Sequence, residues 1–458
     1  MVMGSLPERA DLAVVGAGVG GYITAIRAAE LGMSVVLIEK EKLGGHCLNY
    51  ACIPSKTLLN ISKMHYEIKN SEDFGISANG VTLDPKKMYQ YRMDVSNKLE
   101  NGVAFLCKSN GVEVVKGSAV FISDNKLQIS NGTEIDFSKA VIATGSIPVE
   151  LSGFPFGPDV IDYKKALMLD YIPKSMTIIG AGYVAVETAT LFARLGTQVN
   201  IIARSDVLRT FDSEAVEIIK DRLDKLGVKI YKGSTPVSKE GNTIKLDTGE
   251  SITQELVVVA IGLRPYTEGL GLENTTVIID GKGFIKVDKE LKTTNSNILA
   301  IGDVIGEPML AHKAMRQGVI AAEVAYGLKS AYDNIVVPAV VFSEPEMAVA
   351  GVINGDGVTV TKFPMSAIGR AIAMDKKPGF VKIASTKDGI IKGIEIVSEH
   401  AGDMIAEAAL AIEMGATIED IADTIHPHPT FSEGVQEAAE AALGRPIHFF
   451  YGRQGQNK

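Results

Sequence analysis

Residues 11–40 read DLAVVGAGVGGYITAIRAAELGMSVVLIEK. An apolar run leads into a turn with glycine at positions 16, 18 and 21. A helix of small residues follows, ends at Leu31-Gly32, and gives way to a second apolar run that closes on Glu39. The same order recurs in residues 176–204, MTIIGAGYVAVETATLFARLGTQVNIIAR, where Gly180, Gly182 and Ala185 occupy the turn. Strands alternating with helices predict a parallel, doubly wound sheet. Two such units predict two nucleotide sites. Gly16, Gly18 and Gly21 allow a tight turn, a close approach of backbone to pyrophosphate, and packing of helix on sheet. The helix N-terminus then faces the phosphates, and Glu39 stands where a carboxylate takes ribose hydroxyls.

The second unit departs from the first at its strand end. Ala203 stands where an acid would read an NAD ribose, Arg204 follows it, and Arg209 lies close by. An alanine accepts no hydroxyl bond, whereas an arginine pairs with a 2′-phosphate. NADP(H) is therefore expected over NAD(H).

The remaining organisation follows from length and composition. The 458 residues suggest about three domains of roughly 150 residues each. With 46% hydrophobic and 22% charged residues, the composition is that of a globular protein. A net charge of −9 argues against nucleic acid as the main partner. No uninterrupted apolar run reaches the ~18 residues of a membrane span. The opening MVMGSLPERAD lacks the basic start, apolar core and cleavage site of a signal peptide, so a cytoplasmic protein is expected. Apolar residues at 88, 91, 95, 99, 103 and 106 predict a long amphipathic helix ending at Asn110-Gly111. Cys107 on it reads as a small buried hydrophobe. LQISNGTEI predicts a hairpin turning at Asn131-Gly132. From about residue 335 the pattern changes to mixed strands and small-residue helices such as AGDMIAEAALAIEMG.

Only three cysteines occur, and two of them lie in GGHCLNYACIPSK, residues 44–56. A zinc site would need two further Cys or His ligands. Cys107 is the one spare cysteine, and the histidines show no paired ligand spacing apart from HPHP. Metal is thus the minor reading and a redox pair the major one. Five residues of regular helix rise about 7.5 Å, more than the roughly 7 Å a disulfide tolerates between Cα atoms. The segment is therefore expected to break between Cys47 and Cys52, with Pro54 in the first turn of a following helix.

These stretches, together with ATGSIP, GAGYVAVE, AIGLRP, AIGDV, PMLAHKA and HPHPTFSE, resemble the flavin-dependent pyridine nucleotide-disulfide oxidoreductases, and within them the dihydrolipoyl dehydrogenases, over essentially the whole chain. The resemblance implies an α/β fold of two Rossmann-like nucleotide-binding domains plus a C-terminal α+β dimerisation domain. Residues 1–148 and 275–334 would bind FAD, 149–274 would bind NAD(P), and 335–458 would form a head-to-tail homodimer. It implies that Cys47 exchanges with the dithiol or disulfide substrate and that Cys52 lies beside the flavin. Lys56 would sit near the flavin's reactive nitrogen and pair with Glu187. Thr144, Gly145, Asp303, Ala311, His312 and Gly262 would belong to the cofactor sites. His428, held by Glu433, would be the base completing the other subunit's active site. A histidine titrates near neutrality, and a carboxylate holds its tautomer.

The resemblance implies as partner dihydrolipoamide or another small or lipoyl-bound dithiol, and as a setting a 2-oxoacid dehydrogenase complex. Glutathione-type reductases share most of this machinery and form the alternative, an NADPH-dependent disulfide reductase. Against it stand Ser55-Lys56 after Pro54, LAHKA, and His426 two residues before the base. Mercuric reductases need a C-terminal cysteine pair that is absent here. A non-catalytic binding subunit would have had no need to keep Cys47, Cys52 and His428. His46 departs from the family's small hydroxyl residue and has two readings: an imidazolium that lowers the Cys47 thiol pKa, or a polar contact to the FAD phosphates.

Overall fold

The structure, a computed structural model, describes residues 9–450. Most of the opening stretch expected to lack a signal peptide lies outside the described residues. The chain divides into two compact units. One runs to Gly180 and adds Arg194–Thr197 and Pro236–Asp333. The other takes Ala181–Ala193, Gln198–Thr235 and the chain from Asn334.

The first unit is built on the strand Arg9–Val15, which pairs in parallel with Val35–Glu39 on one side and Glu134–Ile142 on the other. Glu113–Lys116 extends the sheet beyond Val35–Glu39, again in parallel. The nine-residue strand Glu134–Ile142 serves two purposes. Its first half forms the expected hairpin with Lys126–Ile129, and its second half pairs in parallel with Ile298–Ala300. Because side chains alternate along a strand, one run of apolar residues fills two cores. Leu12, Val14 and Leu37 pack with Ala25, Ala28 and Ile320 on the helical face. Ala13, Val15 and Ile38 pack with Phe121, Leu127 and Ile129 on the other. This double burial explains why the strands read as continuous apolar runs. The helix Val19–Glu30 packs against Ala311–Tyr326 at glycines. A Cβ on Gly318 would stand 2.6 Å from the Gly20 carbonyl oxygen. In this unit Leu256–Val259 also lies between the parallel strands Val160–Asp162 and Ser175–Ile179.

The second unit holds the parallel pair Gln198–Ala203 and Lys229–Lys232. It also holds a five-stranded antiparallel sheet ordered Ala339–Val341, Glu346–Gly351, Ile391–Ser398, Phe380–Thr386, Val358–Pro364. The helices Ala401–Met414 and Glu433–Ala442 pack on that sheet, around Phe363, Met365, Val381, Ile394, Ile405 and Val435. The fold is therefore α/β with parallel nucleotide-binding sheets and a C-terminal antiparallel α+β layer, as expected.

One expectation needs correcting. The long helix forms over Pro85–Ser109, capped by the Asp84 carboxylate, and stops at Asn110 with Gly111 at φ +73°. Its buried face, however, is Met88, Arg92, Ser96, Val103 and Cys107, while Tyr91, Leu99 and Leu106 face outward. The spacing rule finds an apolar stripe but does not foresee that Arg92 turns inward to donate to the Asn49 carbonyl at 2.7 Å. Among the described residues, no helix is long and apolar enough to cross a membrane.

Candidate functional site

The first glycine turn is shaped by close contacts. Gly16 has φ +98°, and a Cβ there would lie 2.5 Å from the Ala143 carbonyl oxygen; one on Gly21 would lie 1.8 Å from the Gly16 carbonyl oxygen. Around the Gly18 Cβ position the space is open, so backbone is presented at the helix N-terminus where an anion binds. The Glu39 carboxylate accepts from the backbone N–H of Ala17 and of Glu41, each at 2.7 Å. Those bonds orient it and leave lone pairs for a ribose. Gly44 and Gly45, quoted in the sequence only as flanks of the cysteines, belong to this turn. Gly44 N–H donates to the Ala17 carbonyl at 2.8 Å, and a Cβ on Gly45 would come within 2.7 Å of the Gly18 Cα. The redox segment thus starts directly against the phosphate-binding loop.

That segment breaks where expected. A short helix, Gly45–Asn49, ends at Tyr50. Ala51 is non-helical at φ −131°, ψ −91°, and the helix Cys52–Lys69 begins at once with Pro54 in its first turn. The break brings Cys47 into hydrogen-bond contact with Cys52. Both are half-buried free thiols in this structure, and Cys107 is buried in the core. The hydrogen bond to Cys52, and then burial, push the Cys47 thiol up, while Lys56 acts in the opposite sense. Cys47 therefore keeps its proton. Negative charge is better placed on Cys52, at the positive end of an 18-residue helix.

His46 corrects one of its two readings. Burial, followed by the positive charge of Lys164, lowers its pKa to about 4. It is neutral at physiological pH and supplies no positive charge to Cys47. Its ring meets Tyr50 edge-on at 6.1 Å between centroids.

Asp303 lies in the turn Gly302–Ile305 and accepts from the Ser146 hydroxyl at 2.7 Å. Burial pushes its carboxyl up, partly opposed by Ser146 and by Lys313. Lys313 is itself buried and donates to the Gly306 carbonyl at 2.5 Å. A half-buried carboxylate with a single hydroxyl donor suits further hydroxyl donors, such as those of a ribityl chain. Ala311 and His312 open the helix Ala311–Tyr326. Thr144 donates to the Tyr266 carbonyl at 2.7 Å, and Gly145 accepts from the Tyr266 N–H at 2.9 Å. The glycine cradle, the oriented Glu39 and the half-buried Asp303 fit FAD. Ser146 and Lys313 lie within the quoted motifs ATGSIP and PMLAHKA, and Gly44-Gly45 opens the cysteine segment, but the sequence reading gave none of them a role of its own.

The second glycine turn repeats the first. Gly180 has φ +125°, and a Cβ there would stand 2.1 Å from the Ala260 carbonyl oxygen; the Gly182 Cβ position is open. Ala185 is fully buried, and Gly262 has φ +125° and accepts from the Val149 N–H. Ala203 ends its strand buried, with Arg204 and Arg209 exposed after it. Leu208 N–H donates to the Ala181 carbonyl at 2.8 Å, folding the arginine loop back onto the turn. The one carboxylate between the two arginines, Asp206, pairs with Lys220 and Lys232 rather than with either of them. Glu187, buried on the helix Tyr183–Arg194, accepts from the Phe342 N–H at 3.1 Å.

In the C-terminal layer, His428 Nδ1 lies 2.8 Å from Glu433 Oε1, while Glu433 Oε2 accepts from the Thr430 N–H at 2.8 Å. Glu433 is the first residue of its helix, so the backbone fixes the carboxylate and the carboxylate fixes the ring. The His428 side chain is 76% exposed, with Nε2 free to meet a proton donor. Among the described residues, no group of three or more His, Cys, Asp or Glu side chains is arranged to hold a metal ion.

Known proteins match this arrangement along the whole chain. Residues 10–318 match the pyridine nucleotide-disulphide oxidoreductase family, and residues 337–439 match that family's dimerisation domain. The dihydrolipoyl dehydrogenase of Geobacillus stearothermophilus is 44% identical over 466 residues, covering 98% of this chain and 99% of its own. That of Bacillus subtilis is 42% identical over 467 residues, with the same coverage. Among solved structures, the HOCl-induced flavoprotein disulfide reductase RclA of Escherichia coli, as its Cu(II) complex, superimposes with a TM-score of 0.86. It is 26% identical and covers 95% of this chain and 100% of its own. Two glycine cradles, a cysteine pair across a helix break and a His–Glu couple thus agree with relatives spanning the full length: the chain belongs to the pyridine nucleotide-disulphide oxidoreductase family and is a flavin-dependent disulfide oxidoreductase that binds FAD and a pyridine nucleotide.

Proposed function

We propose that this enzyme oxidises dihydrolipoamide, free or lipoyl-bound, and passes the electrons to a nicotinamide nucleotide with NADP(H) preferred. The observation that carries it is the contact between Cys47 and Cys52 across the break at Ala51. In the oxidised pair, a substrate thiol gives its proton to His428, and its sulfur attacks Cys47. A mixed disulfide forms, and Cys52 leaves as a thiolate. The second substrate sulfur then displaces Cys47, so the substrate departs as a disulfide and both cysteines are reduced. Glu433 holds the His428 ring and stabilises its protonated form. FAD, when bound, supplies the two-electron relay from this dithiol to the nicotinamide, and Lys56 adds positive charge beside Cys52.

The domain assignment follows the same reading: 1–148 with 275–334 for FAD, 149–274 for the nicotinamide, 335–458 for a homodimer that acts in the cytoplasm. His428 would then serve the partner subunit's cysteines, and lipoyl groups of a 2-oxoacid dehydrogenase complex are a natural substrate.

The nicotinamide preference rests on Ala203, Arg204 and Arg209. Charge-assisted phosphate contacts contribute about 1.5–3 kcal/mol, roughly ten- to a hundred-fold in kcat/KM. Ala203→Glu with Arg204→Met should weaken NADP(H) use and improve NAD(H) use, mostly through KM. A wild-type preference for NAD(H) of tenfold or more would overturn the assignment. The same loop favours a second reading, an NADPH-dependent reductase of glutathione type. Steady-state assays with dihydrolipoamide and with glutathione disulfide, each with both nicotinamides, separate the two. Faster turnover of glutathione disulfide would replace the first reading with the second.

A further inference from the structure

His426 lies two residues before His428 and has no part in the chemistry above. Its surroundings are unusual for a loop residue. The neighbouring Ile425 is 93% exposed, yet the His426 side chain is only 4% exposed. Both of its ring nitrogens face oxygen atoms. Nδ1 lies 2.9 Å from the Thr424 carbonyl oxygen, and Nε2 lies 2.9 Å from Glu407 Oε1, on the helix Ala401–Met414.

Neither partner donates a hydrogen. A backbone carbonyl has none, and an ionised carboxylate only accepts. A neutral imidazole carries one N–H and would leave its other nitrogen lone pair facing an acceptor oxygen. Both contacts are satisfied only when both ring nitrogens are protonated. The Glu407 carboxylate is the counter-ion that makes such a buried charge tolerable. The hydrogen bond to Glu407 also raises the His426 pKa more than burial lowers it.

The charged groups acting on His426 are Glu407 from Ala401–Met414 and Glu433 from Glu433–Ala442; His428 is the titratable neighbour on its own segment. Glu433 is the same carboxylate that holds His428. Two histidine–glutamate couples therefore share one loop. One anchors it to the helix Ala401–Met414, the other to Glu433–Ala442.

We propose that His426 is a positioning residue for His428: its ring, held between the Thr424 carbonyl and Glu407, ties the base's loop to that carboxylate and neutralises it, so setting the proton affinity of the base. This rests on the reading of His428 as the base.

The test is the acid limb of kcat/KM against pH for dihydrolipoamide oxidation by the flavin-loaded dimer, where the base must be deprotonated. His426→Gln leaves the Glu407 charge without its counter-ion in the loop that carries His428, which favours the protonated base. The limb should move to higher pH by ~0.5 unit or more, with a matching loss of about threefold or more below it. Glu407→Gln, nearly isosteric, should leave the limb in place or move it to lower pH. The double variant, neutral at both positions, should return the limb toward the wild-type position. A limb that does not move in a folded His426→Gln protein overturns the proposal. So does an upward shift in Glu407→Gln, or a double variant displaced as far as His426→Gln. Should His426→Gln fail to fold, Glu407→Gln decides through the sign of its shift. Full activity in His428→Gln would instead remove the base assignment itself, a separate failure.

Discussion

Glu395 shows how a single buried residue can govern pH response away from the redox centre. It is 1% exposed on the strand Ile391–Ser398, with Lys382 opposite on the adjacent strand. Its Oε2 has no hydrogen-bond partner. Burial, and then repulsion from Asp212, raise its pKa from 4.5 to about 7, against the pull of Lys382. The native protein therefore binds this proton more tightly than the unfolded chain does. Its contribution to stability is greatest below about pH 4.5 and declines as pH rises through 7. A shift of that size corresponds to about 3 kcal/mol. Glu395→Gln keeps the shape and removes the titration. Urea unfolding at fixed protein concentration should show the variant gaining on wild type by ~1–3 kcal/mol between pH 5 and pH 8. An equal difference at both pH values would show that Glu395 does not titrate in this range.

At the scale of elements, the two strand–turn–helix units use the same device for different cofactors. Gly16 packs on Ala143 and Gly180 on Ala260, each as the chain leaves its first strand with positive φ. An alanine in either place drives its Cβ into a carbonyl and also meets a backbone conformation that only glycine adopts at low cost. The two substitutions should therefore separate the two sites. Gly16→Ala should purify with little flavin, read as the ratio of flavin to protein absorbance. Gly180→Ala should keep its flavin while losing nicotinamide-dependent turnover through a raised KM. Flavin loss in both variants, or in neither, would break the correspondence between turn and cofactor.

At the scale of the whole molecule, the redox cysteines and the base belong to different units of the chain, and the His428 ring is largely exposed on the single subunit. On the proposed function, the base of each subunit in a head-to-tail homodimer would serve the cysteines of the other. Mixing His428→Gln with Cys47→Ser subunits under exchange should then recover roughly a quarter of wild-type turnover, because half of the dimers carry one intact site of two. Each parent alone should be inactive or reduced by about 10²–10⁴-fold, the usual worth of a general base. Verified exchange without recovery would place the base and the cysteines of one site on the same subunit.

Much of this architecture was legible in the sequence because it depends on local constraints. Gly16, Gly18 and Gly21 mark their turn through backbone sterics. Pro54 and the five-residue interval from Cys47 to Cys52 demand a helix break, and Asn110-Gly111 ends a helix wherever it lies. The His428–Glu433 couple is likewise local, spanning one turn into a helix. What the sequence left open depends on neighbours brought from far along the chain. Arg92 turns inward because the Asn49 carbonyl awaits it. His46 is neutral because folding buries it near Lys164, and Glu395 takes up a proton more readily because folding buries it and brings Asp212 beside it. His426 faces an acceptor oxygen at each ring nitrogen only when Glu407 closes on the second. Protonation and burial are set by desolvation and by charges a few ångströms away, so they belong to the tertiary structure. The turns and breaks that carry the cofactors and cysteines belong to the chain itself.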